Sequence, residues 1–282
     1  MGKITGLLMF ILAIASILLF VGQNHWWFPE GISEYAPLID AQFMRTLFVV
    51  AIAFTAAQFA LGYAVMRFGR KGDARAVYTH GSNKLEVTWT IITAAVFVAL
   101  AILGQRVWAQ LHLTAAADNA AKIEVVAQQF QWNFHYSGAD GAFGKTEARY
   151  IDDSALNFVG LDPNDAAGKD DAQLTTLVVP KDRPVELTLK SKDVIHSFFV
   201  PALRFKQDTL PGMAIKVHFT ANKEGKYEIP CAELCGSLHH NMKSNMIVIP
   251  ADEFDRLMAM SEEKFKEQLG ELMGRYEYRD RQ

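Results

Sequence analysis

Two cysteines, a histidine and a methionine lie within one twelve-residue segment of this 282-residue chain. They are Cys231, Cys235, His239 and Met242. Thiolate, imidazole and thioether groups are soft or borderline ligands, which suit copper better than magnesium or calcium. Three residues separate Cys231 from Cys235, and the same spacing separates Cys235 from His239, so these side chains can face one centre. A disulfide is the alternative, but so small a loop would remove little entropy from the unfolded chain and would leave the histidine and methionine unexplained.

A second imidazole is needed if this segment holds two metal ions, and His196 can supply it. It lies in an apolar stretch, residues 194–201, where a buried imidazole without a hydrogen-bond partner would be unfavourable. By itself it could be an ordinary core histidine. With the downstream segment it forms the pattern His-Ser-x-x-x-Pro at 196–201 and Cys-x-Glu-x-Cys-Gly-x-x-His-x-x-Met at 231–242. This pattern resembles the dinuclear copper centre A (CuA) of cytochrome c oxidase subunit II.

The resemblance implies a role for each donor. Two thiolates would bridge the coppers, each imidazole would ligate one copper, and a thioether and a backbone carbonyl would complete the set. The two thiolates are those of Cys231 and Cys235, and the two imidazoles are those of His196 and His239. The thioether is that of Met242, and the backbone carbonyl is that of Glu233. In that family the side chain of the same glutamate reaches a magnesium or manganese ion shared with subunit I. The implied cofactors are therefore dinuclear copper and Mg or Mn.

Two further segments carry the resemblance. Residues 85–90 match the family's Leu-Glu-x-x-Trp-Thr signature, in which the glutamate, here Glu86, marks the mouth of a proton channel in subunit I. The alternative is a glutamate at a helix start, stabilised by the helix dipole. Residues 129–136 correspond to the family's Gln-Trp-x-Trp-x-Phe-x-Tyr stretch, but the first tryptophan, associated with electron uptake, is Phe130 here. Electron uptake is predicted at Phe130 and Trp132, with packing inside a strand as the alternative for Trp132.

The elements that must position these residues begin with a membrane anchor, residues 1–110. No charged residue occurs within 4–21, 46–66 or 87–105, and about 20 apolar residues suffice to cross a bilayer as a helix. We therefore predict transmembrane helices at about 4–21, 45–67 and 86–108. The first could instead be a cleaved signal peptide, but its apolar run exceeds the usual core of roughly 7–15 residues and no small-x-small cleavage site follows. Retention is favoured.

Charge places the rest of the chain outside the cytoplasm. Residues 67–85 contain five Lys or Arg and one Asp, and short basic loops remain in the cytoplasm. The third helix then exits outward. The chain is predicted to be an integral protein of the bacterial inner membrane, with its copper domain on the periplasmic, extracytoplasmic side.

Residues 111–250 are predicted to form a cupredoxin-like Greek-key β-barrel or sandwich. An alternating stretch at 122–136 and several short β-branched runs are separated by Pro and Gly turns, which is typical of short strands. Residues 251–282 have Glu, Lys, Met and Leu at helical spacing and predict a C-terminal helical tail. The predicted fold class is a membrane-anchored α+β protein with two or three transmembrane helices. An acidic stretch at 152–171 is interpreted as a solvated insertion in preference to a calcium loop or a docking patch.

Composition limits the partners. A net charge of −3 argues against nucleic-acid binding. With both cysteines assigned to copper, no Cys-x-x-Cys-His haem site exists, so the electron donor must be a separate polypeptide. The prediction is subunit II of a terminal haem-copper oxidase, which accepts electrons from cytochrome c and relays them to haem in subunit I, where oxygen is reduced to water with proton translocation. Subunit III, and a respiratory supercomplex that holds the donor, are further expected partners.

Two other functions stay open at this point. The small subunit of a copper-A nitric oxide reductase would use the same relay for a different reaction, and the sequence of its partner subunit would separate the two. A membrane-anchored copper carrier or storage protein would need labile ligands. The closed ligand set and the signature at 85–90 favour tight metal and a permanent membrane partner over a carrier.

Overall fold

The computed structural model describes residues 2–22, 29–69, 75, 78 and 80–276, which fall into two compact units. One unit contains three long helices. The other contains the chain from Leu111 onward together with the short segment Pro29–Pro37. Part of the basic loop at 67–85 and the tail residues 277–282 lie outside the described residues.

Helices α1 (Gly2–Gly22), α2 (Ala36–Phe68) and α3 (Asn83–His112) form the first unit. Each is long and apolar enough to cross a membrane. At 1.5 Å per residue, the 33 residues of α2 extend over about 50 Å, against about 30 Å of hydrocarbon. The observed helices are longer than the uncharged runs because helical hydrogen bonding continues through the polar residues that flank each run.

Helix α1 packs closely on α2 through glycine. A Cβ added to Gly6 would lie 2.2 Å from Cγ of Met66 and 2.7 Å from the carbonyl oxygen of Gly62. One turn further along, the rings of Phe10 and Phe59 stack with centroids 5.0 Å apart. Small residues allow helix backbones to approach in this way inside a membrane. The first apolar run therefore forms a helix that is packed within the helical unit.

The second unit is a β-sandwich. A five-stranded sheet has the order β3-β2-β1-β5-β8, a three-stranded sheet the order β4-β10-β9, and β6 pairs with β7. Most neighbours are antiparallel, but β1 runs parallel to β5 and β10 runs parallel to β4. The strands are β1 (Ala121–Gln128), β2 (Gln131–Tyr136), β3 (Ala172–Leu174), β4 (Leu177–Pro180), β5 (Pro184–Ser191), β6 (His196–Val200), β7 (Phe205–Thr209), β8 (Ile215–Thr220), β9 (Gly225–Pro230) and β10 (Lys243–Ile249).

The sandwich core follows from alternation along the strands. In β5, Val185, Leu187 and Leu189 are completely buried, while the residues between them are partly exposed, as expected for a strand with one face in the core. Strand β2 is different, because five of its six residues are buried. The loop that follows β2 covers its outer face. Three apolar helices followed by a β-sandwich and a helical C-terminus confirm the predicted fold class.

The C-terminal part is two helices, not one. α4 (Ala251–Met258) and α5 (Glu262–Arg275) are separated where Ser261 adopts an extended backbone. Each helix buries apolar residues in the sandwich core, and the ring of Phe265 lies 5.4 Å from that of Tyr136. Ser261 is followed by two glutamates, a pattern typical of a helix start.

Most carboxylates in the acidic stretch stabilise turns of the loop after β2. Asp152 accepts hydrogen bonds from the backbone of Ser154 and Ala155, and Asp165 accepts one from the backbone of Lys145. Asp171 contradicts the solvated interpretation, because it is 5% exposed. It is buried since it pairs with a histidine on β2.

That histidine is His135, which is completely buried between two carboxylates. Nε2 lies 2.6 Å from Oδ2 of Asp171, and Nδ1 lies 3.0 Å from Oε2 of Glu124 on β1. Glu124 also contacts Nζ of Lys190 at 2.5 Å. Burial acts to lower the pKa of His135, but the bonds to Asp171 and Glu124 outweigh it and raise the pKa. This buried ionic cluster joins the loop to the sheet.

Candidate metal centre

The loop between β9 and β10 carries most of the predicted donors. Cys231 directly follows β9, His239 begins a single 3-10 turn, and Met242 directly precedes β10. The backbone N–H of Cys231 donates to the carbonyl of Met242 at 3.0 Å, so the two ends of the loop are fixed to each other. The N–H of Ala232 donates to the carbonyl of Ser197 on β6, also at 3.0 Å. The second bond brings the loop against the strand that begins with His196.

The predicted donor atoms converge. Sγ of Cys231 lies 4.0 Å from Nδ1 of His196 and 3.9 Å from Sγ of Cys235. Sγ of Cys235 lies 3.6 Å from Nδ1 of His239 and 3.7 Å from Sδ of Met242. Within the described residues, His196, Cys231 and Cys235 form the group that could hold a metal ion, with ligand atoms no more than 4.8 Å apart.

The two cysteines do not form a disulfide in this structure. A disulfide has a sulfur–sulfur distance of about 2.05 Å, and the two sulfur atoms here are 3.9 Å apart. Both cysteines are free and buried. They are therefore available as two neighbouring metal ligands.

Burial differs between the donors and the residue that separates the cysteines. His196, Cys231, Cys235 and Met242 are at most 8% exposed, and His239 is half-buried. Glu233 is exposed, yet its carbonyl oxygen lies 3.2 Å from Sγ of Cys231. Its main chain therefore faces the donors while the residue remains accessible from outside.

The two thiols differ in acidity in the metal-free chain. Burial raises the pKa of Cys231, but hydrogen bonds, first of all with His196, outweigh burial and lower it to about 6. Burial and the neighbouring Cys231 raise the pKa of Cys235 to about 11. Burial acts to lower the pKa of His196, but its bonds to Cys231 and Asp193 raise it. Both thiols must lose their protons when a metal binds.

The residues present fit a copper centre. Two thiols, two imidazole nitrogens and a thioether are the inward-facing side-chain donors, and sulfur and nitrogen donors select copper over hard cations. Aromatic rings pack beside one of the two imidazoles. The Trp132 ring lies 6.1 Å from that of His196 and 5.5 Å from that of Phe198.

The two aromatic residues predicted for electron uptake occupy different positions. Trp132 is 1% exposed, so its ring meets the His196 ring inside the domain and not a protein outside it. Phe130 is half-buried and lies against Gly236 in the loop between β9 and β10, residues 231–242, which is called the copper loop below. A Cβ on Gly236 would be 2.9 Å from the Phe130 ring, and the φ of +143° at this glycine is itself unfavourable for other residues. Gly236 is needed for this close approach.

One residue at the site has no role in the sequence-based predictions. Oδ1 of Asp193 accepts a hydrogen bond from Nε2 of His196 at 2.8 Å, and Oδ2 accepts one from the backbone N–H of Gln129 at 2.7 Å. The available signal was a carboxylate three residues before a histidine ligand in an otherwise apolar segment. Its second partner, 64 residues away, is visible only in the fold.

Comparison with known proteins identifies the family. Residues 122–251 match the periplasmic domain of cytochrome c oxidase subunit II, and residues 22–107 match its transmembrane domain. The alternative cytochrome c oxidase subunit 2 of Bradyrhizobium diazoefficiens is 34% identical over 244 residues, which cover 86% of each chain. The chain belongs to the cytochrome c oxidase subunit II family.

Two other proteins of the subunit II family are also similar to this chain. Cytochrome c oxidase subunit 2 of Synechocystis is 30% identical over 270 residues, covering 87% of this chain and 79% of the relative. The solved periplasmic domain of subunit II of the Bradyrhizobium japonicum cytochrome oxidase is 24% identical, with a TM-score of 0.39, and the match covers 54% of this chain and 99% of that one.

Family membership confirms the resemblance found in the sequence, and the subunit II family implies a copper A centre. Glu86, predicted at the mouth of a proton channel, lies in the first turn of α3 and is exposed. It belongs to the helical unit, whereas the predicted metal ligands belong to the other unit. Almost all of helix α1 precedes the region matched by the family's transmembrane domain.

Proposed function

We propose that this chain is the electron-accepting subunit of a terminal haem-copper oxidase. It takes electrons from cytochrome c and passes them to haem in subunit I, where oxygen is reduced to water with proton translocation. The observation that carries the proposal is the convergence of Cys231, Cys235, His196, His239 and Met242 on one buried centre. A carrier or storage protein would not need so many donors from a strand and a separate loop.

In this proposal the donors have the roles that the sequence pattern implies. Cys231, Cys235, His196 and His239 would hold dinuclear copper as strong ligands, and Met242 and the carbonyl of Glu233 would be weak ligands. Bound there, dinuclear copper would supply reversible one-electron transfer.

The chain's contribution is to keep the donors in place when the charge at the centre changes. The hydrogen bond between the main chains of Cys231 and Met242 fixes the loop ends, and that between Ala232 and Ser197 fixes the loop to β6. Donors that are already placed need little rearrangement during electron transfer.

The surface around the centre favours a protein partner. Ile195, Leu234 and Leu238 each directly precede a predicted ligand, and they are 45%, 77% and 50% exposed. Exposed apolar clusters of this kind mark interaction sites. Together with the half-buried ring of Phe130, they offer an apolar contact for cytochrome c.

The remaining roles concern the oxidase partners. Glu233 is exposed and follows the first cysteine by two residues, a position from which its carboxylate could hold Mg or Mn together with subunit I. Glu86 would lie at the cytoplasmic start of α3 as the mouth of a proton channel in subunit I. The membrane would be the bacterial inner membrane, with the β-domain on the periplasmic side and subunit III in the same complex.

Electron paramagnetic resonance and a copper count of the full-length protein test the proposal. We expect two coppers per chain that share one unpaired electron equally. Cys231→Ser should abolish the signal, and Met242→Leu should retain both coppers but shift the reduction potential, because axial ligands tune it. Met246→Leu is the matched control, since Met246 is equally buried but lies within β10. A mononuclear copper signal or a disulfide without metal would overturn the assignment.

A further inference from the structure

We propose that Asp193 is a positioning residue, which directs Nδ1 of His196 toward the thiols and ties this ligand to the loop that carries Phe130. This inference rests on the proposed function, because it gives Asp193 a role at the copper centre. Its side chain is 30% exposed, so most of the carboxylate lies inside the domain. The inference adds a residue outside the set of predicted ligands.

The hydrogen bond to Asp193 determines which ring nitrogen of His196 carries the proton. An ionised aspartate can only accept hydrogen bonds, so the nitrogen that faces Oδ1 of Asp193 at 2.8 Å, Nε2, carries the proton. Nδ1 is then left with its lone pair, and it is the nitrogen that faces Sγ of Cys231. A carboxylate behind an imidazole ligand both selects the tautomer and makes the ligand a stronger donor.

Main-chain N–H groups hold the Asp193 carboxylate in place. Oδ1 also accepts the backbone N–H of Val194 at 2.7 Å, and Oδ2 accepts that of Gln129 at 2.7 Å. The carboxylate is therefore held from two sides. One side is its own segment, and the other is the turn between β1 and β2.

Gln129 connects that turn to the copper loop. The side-chain amide of Gln129 donates to the carbonyl of Cys235 at 2.5 Å, and the next residue, Phe130, lies against Gly236. Through Asp193 and Gln129, three segments that are distant in sequence are joined. They carry one imidazole ligand, one thiolate ligand and the half-buried aromatic ring.

Loss of the carboxylate should therefore have two separable effects. His196 should bind copper less well because its tautomer and orientation are no longer imposed. The Gln129–Phe130 turn should open more often because its backbone N–H has lost its acceptor. A carboxylate that merely attracts a basic donor protein would produce neither effect.

The test uses the full-length protein loaded with copper, with the variants Asp193→Ala and Asp193→Asn. For Asp193→Ala we expect the copper affinity, measured by competition with a chelator, to fall about 10- to 100-fold. We also expect altered histidine hyperfine coupling and faster amide hydrogen exchange at Gln129 and Phe130. Asp193→Asn keeps the shape and a neutral acceptor, so it should fold and give smaller changes in the same direction.

Asp153→Asn is the charge-matched control. Asp153 is 61% exposed and lies 3.3 Å from Nζ of Lys192, the residue before Asp193, so it removes the same charge from the same region. If both Asp193 variants match this control in copper affinity, hyperfine coupling and exchange, the positioning role is refuted. Failure of the proposed function is distinct, because wild-type protein would then bind no copper pair, whereas the exchange at Gln129 can still be compared in the metal-free chain.

Discussion

The buried cluster around His135 gives a quantitative prediction about the stability of the β-domain. The side chains of His135 and Asp171 are both 0% exposed and lie 2.6 Å apart. Replacement of His135 by Leu leaves the Asp171 carboxylate buried without its cation, which typically destabilises a protein by about 3–5 kcal/mol. Whole domains are stable by only about 5–15 kcal/mol. We therefore expect His135→Leu to remove about a fifth or more of the stability.

Equilibrium urea unfolding measures this loss through the fluorescence of the buried Trp132, in full-length protein whose four other tryptophans are replaced by phenylalanine. Arg256→Leu is the control, because it breaks an ion pair whose members are 67% and 76% exposed, and such surface pairs contribute about 0–1 kcal/mol. The double variant His135→Leu/Asp171→Asn should be more stable than His135→Leu alone, since it no longer buries an unpaired charge. If His135→Leu unfolds at the same urea concentration as Arg256→Leu, the ionic interpretation of the cluster is refuted.

The same cluster makes stability depend on pH. The pKa of His135 is raised in the folded protein. Its contribution to the free energy of unfolding is therefore complete below the ordinary histidine pKa and is lost as pH rises through the raised pKa of the folded state. The pKa of Glu124 is lowered, since bonds from His135 and Lys190 outweigh burial. The contribution of Glu124 to the free energy of unfolding is present above the ordinary glutamate pKa and is lost as pH falls through its lowered pKa in the folded state. Stability should therefore decline on the alkaline side, and His135→Leu should abolish that decline.

Three further predictions concern the loop and the helices. Gly236→Ala should destabilise the β-domain by about 1–3 kcal/mol and alter the copper spectrum, because its Cβ would lie 2.8 Å from Nε2 of Gln129; an unchanged spectrum would contradict this. Gly6→Leu should separate α1 from α2 and weaken cross-linking between cysteines placed at 10 and 59, whereas Gly22→Leu, where a Cβ meets nothing within 4 Å, should not. Glu86→Ala should lower turnover of the assembled oxidase, and unchanged turnover over a wide pH range would leave only a helix-start role.

Features that depend on short spacing or on regular alternation could be predicted from the sequence. Cys231, Cys235, His239 and Met242 belong to one loop, so their proximity follows from chain connectivity. The three apolar runs predict membrane helices because a segment in hydrocarbon must satisfy its backbone hydrogen bonds internally, as a helix does. Alternation of apolar residues, as in β5, predicts the sandwich strands for a similar local reason.

Which distant residues join that loop, and which side chains are buried, depends on the folded chain. His196 reaches the thiols only because the backbone of β6 bonds to the start of the copper loop at Ala232. Phe130 remains half-buried while Trp132 is enclosed, although both lie in one aromatic stretch. Asp171 looks like any other acid in its segment, yet the fold pairs it with His135. Such contacts depend on how strands pair and how loops cover them, and local spacing along the chain contains no information about either.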